Sequence, residues 1–206
     1  MLWGARFKQA LDPGALAFSS SLAIDQRLLS EDITASIAHA AMLAEIGILN
    51  ADDYQQINSG LQEIEALYQN GDWQPAADQF EDIHSAIEAK LTELIAEAAG
   101  ILHSGRSRND QVITAVMLWL RAAVSNLKEA QSVLQDSLLH LAKQHLFTVM
   151  PAYTHLQQAQ PVSLAYHLLT YVEMLQRDKQ RLDFVCQQIA ACPLGSAAVA
   201  GSTLPL

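Results

Sequence analysis

Hydrophobic positions recur at three- and four-residue steps along most of the chain, the period of a helix that buries one face. Ile33, Ile37, Ala40, Ala41 and Ala44 predict a helix with Ser30 as N-cap, Glu31 and Asp32 in its first turn and an end near Gly47. Asn50 opens a second helix through Ile57, Leu61, Ile64 and Leu67 that stops at Asn70-Gly71. After a polar loop containing Pro75, the positions Ile83, Ile87, Leu91, Leu94, Ile95 and Ala98 predict a third, ending at Gly100. From Asn109 onward Val112, Val116, Leu120, Ala123, Leu127, Ala130, Leu134, Leu138 and Leu141 keep one helical register, a rod on the order of 50 Å. A second long run follows Pro161, with Leu164, Leu168, Tyr171, Leu175, Leu182, Val185 and Ile189, so the two form an antiparallel pair joined by a polar loop. Asp12-Pro13-Gly14 and Ser19-Ser20-Ser21 predict an irregular arm ahead of all this.

Helices this long cannot bury their apolar surface against the shorter elements before them, so they require neighbours from elsewhere. The pattern predicts an all-α fold: an arm and small helical domain over residues 1–109, then over 110–206 the first long helices of an oligomeric bundle. Composition adds exclusions. Asp and Glu number 22 against 12 Lys and Arg, a net charge of −10, which disfavours nucleic acid and anionic membrane surfaces as partners. The apolar stretch Val112 to Leu120 is too short to cross a bilayer and no charged-then-apolar leader opens the chain, so the expected location is the cytoplasm. Cys186 and Cys192 form neither a CxxC pair nor a zinc spacing, and no HExxH, P-loop, GxGxxG or GxSxG run occurs.

Three segments carry candidate chemistry. His103-Ser104-Gly105-Arg106-Ser107-Arg108-Asn109-Asp110 gathers two guanidiniums, two hydroxyls and an amide between helices, donors suited to a carboxylate. The same residues also suit a salt-bridged helix cap in which Asp110 holds Arg108. Tyr153-Thr154-His155-Leu156-Gln157-Gln158-Ala159-Gln160-Pro161 places a histidine between two helices, where it could move a proton or simply bond to backbone. Glu81-Asp82-Ile83-His84 sits at a helix head, where capping accounts for most of it. His39, His140, His145 and His167 fall inside helical patterns and read as surface or interhelical residues.

Together with Trp3-Gly4-Ala5-Arg6-Phe7 and Pro193-Leu194-Gly195-Ser196, these segments resemble, in order and spacing, the argininosuccinate lyase family of the fumarase/aspartase superfamily. The resemblance spans essentially all 206 residues. It implies reversible β-elimination of argininosuccinate to arginine and fumarate in arginine biosynthesis, in a homotetramer whose sites draw on three subunits and use no cofactor. An abstracted proton would leave a carbanion held as an aci-carboxylate by donor groups. By the same resemblance His155 is the acid/base histidine, and Thr154, Arg108, Asn109, Ser21 and His84 bind substrate.

The chain departs from the family where Ala5, Ala35, Ala152 and Ala197 stand at positions expected to be glycine, a strain wherever φ must be positive. It also stops at Leu206, about halfway through a family-length chain. The GSSxMPQKKNP-type loop with the catalytic serine and a substrate-binding lysine is absent from these residues, so the 206 residues alone are expected to be inactive. Two other readings stand beside this one. One is a lyase for a different succinyl adduct; the other is a non-catalytic scaffold of the kind seen in related lens crystallins.

Overall fold

The computed structural model describes residues 12–206; the Trp3–Phe7 motif, with Ala5, lies outside the described residues. The chain divides into two compact units, one of residues 12–119 with 192–206, the other of residues 120–191.

In the first unit, helices α1 (Pro13–Ser19) and α2 (Leu22–Asp25) and a 3-10 turn (Gln26–Leu28) lead into α3 (Leu29–Glu45). Helices α4 (Ala51–Asn70), α5 (Ile83–Ile95) and α6 (Ala98–Ile101) follow, then the start of α7 (Arg108–Gln144). The predicted irregular arm is a correction: Asp12 accepts hydrogen bonds from the Gly14 and Ala15 amides at 2.8 and 3.2 Å, and Pro13 presets the first φ, so a short helix forms on local terms alone. Ser30 is not an N-cap, because the 3-10 turn runs straight into α3 and leaves no exposed helix start to cap. Asn50 does cap α4, its side chain accepting from Asp53 N, and Gly71 ends the helix at φ 81°. The third helix stops at Ile95 rather than Gly100, because Ala96 takes a positive φ of 53° and α6 starts anew beyond it.

Helices α3, α4 and α5 pack on one another around Leu29, Ile33, Leu43, Ile57, Leu61, Ile64, Ile83 and Leu91, all fully buried. At about 1.5–3 kcal/mol for each such side chain, this cluster is the main stabilising mass of the unit. Gly60 allows the close approach of α4 to α5, since a Cβ there would lie 2.8 Å from Leu91 Cδ1.

In the second unit the rest of α7 is followed by strands β1 (Val149–Thr154) and β2 (Gln157–Ser163) and by α8 (Leu164–Gln188). The joining segment is thus an antiparallel hairpin and not a plain loop, and the fold is mostly helical with one small sheet. Its register runs from Val149 opposite Ser163 to Thr154 opposite Gln157, shifting between Pro151 and Tyr153. Partners descend α8 as they ascend α7: Lys128 pairs with Asp183, Gln131 donates to the Leu175 carbonyl at 2.7 Å and Gln135 to that of Val172 at 3.1 Å. The two helices are therefore antiparallel. Polar Gln131 and Gln135 are buried, whereas Leu127, Leu134 and Leu141 of the apolar stripe are exposed.

Of the alanines expected to be glycine, Ala35 lies in a helix and Ala152 in a strand, both at negative φ, but Ala197 has φ 51°. A left-handed alanine costs about 1–2 kcal/mol, and glycine returns part of that as unfolded-chain entropy. Ala197→Gly should therefore stabilise the protein by about 0.5–1 kcal/mol, read as a higher urea midpoint. A lower midpoint would show that the left-handed geometry is not adopted.

Candidate functional site

The donor-rich loop of residues 103–111 is bound to one face of α3. His39, Ser36 and Asp32 are spaced one turn apart on that helix. Each is buried and each meets a successive part of the loop. His39 Nε2 lies 2.9 Å from the Ser104 carbonyl, which can only accept, so Nε2 carries the proton. Arg106 Nη1 donates to Ser36 Oγ at 3.0 Å, and Gln111 Nε2 donates to Asp32 Oδ1 at 2.8 Å.

Helix α5 adds the opposite wall. Asp82 caps it through Ser85 N at 2.6 Å, and the next turn turns His84 inward, only 1% exposed. Its Nδ1 stands 3.3 Å from Asp32 Oδ2, a close polar contact rather than an aligned hydrogen bond. One turn further along, Glu88 accepts from Arg108 Nη2 at 2.6 Å, while Arg108 Nη1 donates to Gln111 Oε1 at 2.8 Å. Arg108 is thus held by Glu88 and Gln111, and the alternative pairing of Arg108 with Asp110 is not formed. Asp32, Ser36, His84, Glu88, Arg106 and Gln111 line a cavity of about 10 Å³.

Burial is the largest influence on the Asp32 carboxyl and pushes its pKa up, but the neighbouring His84, Gln111 and Arg106 outweigh it and hold the group below the ordinary aspartate value. Burial pulls His39 below the usual histidine value, opposed by its bond to Ser104 and reinforced by the Arg106 charge. Burial also lowers Arg106, against the pull of Asp32, and a guanidinium so placed stays charged.

Ser21 is exposed and sits at the head of α5: its amide donates to the Glu81 carbonyl at 2.9 Å, and its hydroxyl donates to Asp25. Asp25 in turn accepts from Ile83 N at 3.1 Å, which ties Ser21 to the residue before His84. Asn109 is exposed in the first turn of α7, with its amide 3.3 Å from Ser107 Oγ. In the first unit, then, His84 and Arg108 belong to one network through Asp32 and Gln111; Asn109 is the exposed residue next to Arg108, and exposed Ser21 is tied to the network through Asp25 and Ile83.

Thr154 and His155 lie in the second unit at the tip of the hairpin, both exposed. The loop between the strands is two residues long, and both residues have positive φ, 50° at His155 and 61° at Leu156. That is the signature of a type I′ turn, which normally calls for Asn-Gly. Histidine enters this region more readily than most residues, whereas a leucine there is an outlier. The turn thus holds backbone strain at its tip, with the histidine held out to solvent. Among the described residues no cluster of three or more His, Cys, Asp or Glu suits a metal, and no helix is long and apolar enough to cross a membrane.

A family model described as Lyase matches residues 5–205, and the chain belongs to that family. Within it, the chain is 47% identical over 204 residues to an argininosuccinate lyase of Synechococcus sp. (strain JA-3-3Ab), covering 99% of this chain and 42% of the relative. An argininosuccinate lyase of Gloeobacter violaceus is 45% identical over 99% of this chain and 43% of its own length. The chain therefore spans less than half the length of these curated relatives. Among solved structures, an EDDS lyase in complex with formate matches with a TM-score of 0.77 and 31% identity, covering 93% of this chain and 37% of that one. A fumarate lyase from Mesorhizobium sp. BNC1, at 22% identity and TM-score 0.69 over 96% of this chain and 45% of its own, shares the fold.

The sequence reading missed Asp32, Ser36 and Glu88. The signal was present as polar residues at positions 32, 36 and 39 within the otherwise apolar face of Ile33, Ala40 and Leu43.

Proposed function

We propose that these residues are the N-terminal share of a cytoplasmic argininosuccinate lyase that cleaves argininosuccinate to arginine and fumarate. The observation that carries the reading is identity of 47% and 45% to argininosuccinate lyases over 99% of the chain, against 31% to the EDDS lyase. In this reading His155 transfers the proton, Thr154, Asn109 and Ser21 contact substrate from exposed positions, and Arg108 and His84 act from the network around Asp32. The division into a small domain, 1–109, and a bundle domain, 110–206, belongs to the same proposal. So does a homo-oligomer, supported by Leu127, Leu134, Leu141 and Met174 lying exposed along α7 and α8.

Chemically, the reaction needs a base that removes a proton beside a carboxylate and donors that hold the resulting negative charge. Exposed His155 on a strained turn suits the first requirement, and the Ser107–Asn109 segment at the start of α7 suits the second. A lyase for another succinyl adduct is the second reading, favoured by the 30% identity and TM-score of 0.78 to an EDDS lyase variant with bound fumarate.

The test is to incubate the protein, expressed from its full native reading frame, with argininosuccinate and to measure arginine and fumarate together. Equimolar release of both supports the reading; fumarate from another adduct alone supports the second. A polypeptide of residues 1–206 by itself should release neither.

A further inference from the structure

The Pro193-Leu194-Gly195-Ser196 motif has no part in the chemistry above, yet the structure ties it to the loop that carries Asn109. The link is Asp110, only 4% exposed. One oxygen, Oδ1, accepts from the Ser107 amide at 2.9 Å while Ser107 Oγ accepts from the Asn109 amide at 3.3 Å, a variant of the capping box in which the N-cap hydroxyl takes the second helical amide instead of the third. A capping box uses one carboxylate oxygen. The other, Oδ2, accepts from Gly195 N at 3.2 Å and from Ala197 N at 2.7 Å.

Both amides belong to residues with positive φ: 101° at Gly195, which glycine adopts freely, and 51° at Ala197, a strained value for alanine that the bond to Asp110 helps to hold. Charge-assisted bonds to backbone N–H are the strong kind, and here two of them converge on one buried oxygen. The contact is reinforced from the other side of the loop. A Cβ on Gly105 would meet Leu206 Cδ1 at 2.8 Å and Leu204 Cδ1 at 3.3 Å, so the same tail lies directly on the loop backbone.

We propose that Asp110 is a positioning residue: its carboxylate joins the Ser107–Asn109 turn to the Gly195–Ala197 turn and so fixes the direction in which Asn109 faces substrate. This rests on the substrate-binding role proposed above for Asn109. An asparagine at 110 has one acceptor oxygen and an NH₂ that can only donate, so it can serve one turn but repels the amides of the other.

The test uses the protein from its full native reading frame, with argininosuccinate as substrate. Asp110→Asn should raise KM about tenfold and change kcat less than threefold, the signature of lost binding rather than lost chemistry. Asn109→Ala should also raise KM, and adding Asp110→Asn to it should change KM less than twofold, because the second residue acts through the first. Full additivity overturns the proposal. An unaltered KM in Asn109→Ala instead overturns the role of Asn109, which separates the two failures. Hydrogen exchange decides the coupling without any turnover or variant: in the unaltered protein the Ser107, Gly195 and Ala197 amides should share one protection factor. Exchange of Gly195 and Ala197 at open-loop rates also overturns it, and rescue of KM by Asp110→Glu supports it.

Discussion

Replacing His155 by alanine in the protein from its full native reading frame should lower kcat on argininosuccinate by about 10³-fold, within the usual range of 10²–10⁴ for loss of a general acid or base. The side chain is exposed at the hairpin tip and its removal opens no cavity, so the far-UV spectrum and urea midpoint should hold nearly constant. The positive φ of 50° raises the question of whether alanine merely spoils the turn. His155→Asn answers it, because asparagine accepts left-handed backbone and suits the first position of a type I′ turn but cannot exchange a proton near neutral pH. If both variants fall together, the loss is chemical. If the asparagine variant keeps more than a tenth of the wild-type kcat, His155 is a turn residue and the proton is moved by another group.

The hairpin also shows where sequence reasoning runs out. Helices α4, α7 and α8 were legible because each has a buried or partner-seeking stripe at the helical period, with Asn50 and Gly71 marking the ends of α4. Strands β1 and β2 have no fully buried residue, so neither face is strongly selected for apolar character and the sequence carries too little alternation to mark them. Their pairing is set by a two-residue turn, His-Leu, that lacks the usual Asn-Gly. Helix α1 was missed for a different reason: it is seven residues long, has no buried residue and exists through Asp12 and Pro13.

The site was legible as a set of donors but not as a set of pairs. The sequence marks residues 103–110 as unusual by composition, and the structure assigns Arg106 to Ser36 and Arg108 to Glu88 and Gln111. Those partners lie up to 70 residues away in the chain, a separation at which no local spacing rule operates. The face of α3 that receives the loop can be recognised afterwards by its polar residues at 32, 36 and 39. What they face depends on how α5 and the loop close over them, which is tertiary information.

Asp32 is the residue on which that closure depends most, and Asp32→Ala should destabilise the protein by about 3–5 kcal/mol. The carboxylate is fully buried, and it faces His84 at 3.3 Å, receives Gln111 at 2.8 Å and lies in the field of Arg106. Its removal takes from the buried Arg106 guanidinium the largest of the three carboxylate fields around it and leaves the buried Gln111 amide without its acceptor, a loss that costs more than the bond itself contributed. The pH dependence follows from the direction of the shift. Because the folded-state pKa of Asp32 lies below its unfolded value, the unfolded chain binds the proton first as pH falls. The contribution is therefore complete above about pH 4 and is lost as pH drops from there through the folded pKa. His39, also lowered by burial, makes the unfolded chain the better base in a higher window that opens below about pH 6.5. Urea denaturation across pH separates the two: Asp32→Asn should flatten the stability curve only below about pH 4 and leave the decline that begins below about pH 6.5 intact. A loss below about 1 kcal/mol in Asp32→Ala, or an unchanged acid limb in Asp32→Asn, would show that the carboxylate is already solvated and that the network does not hold the loop.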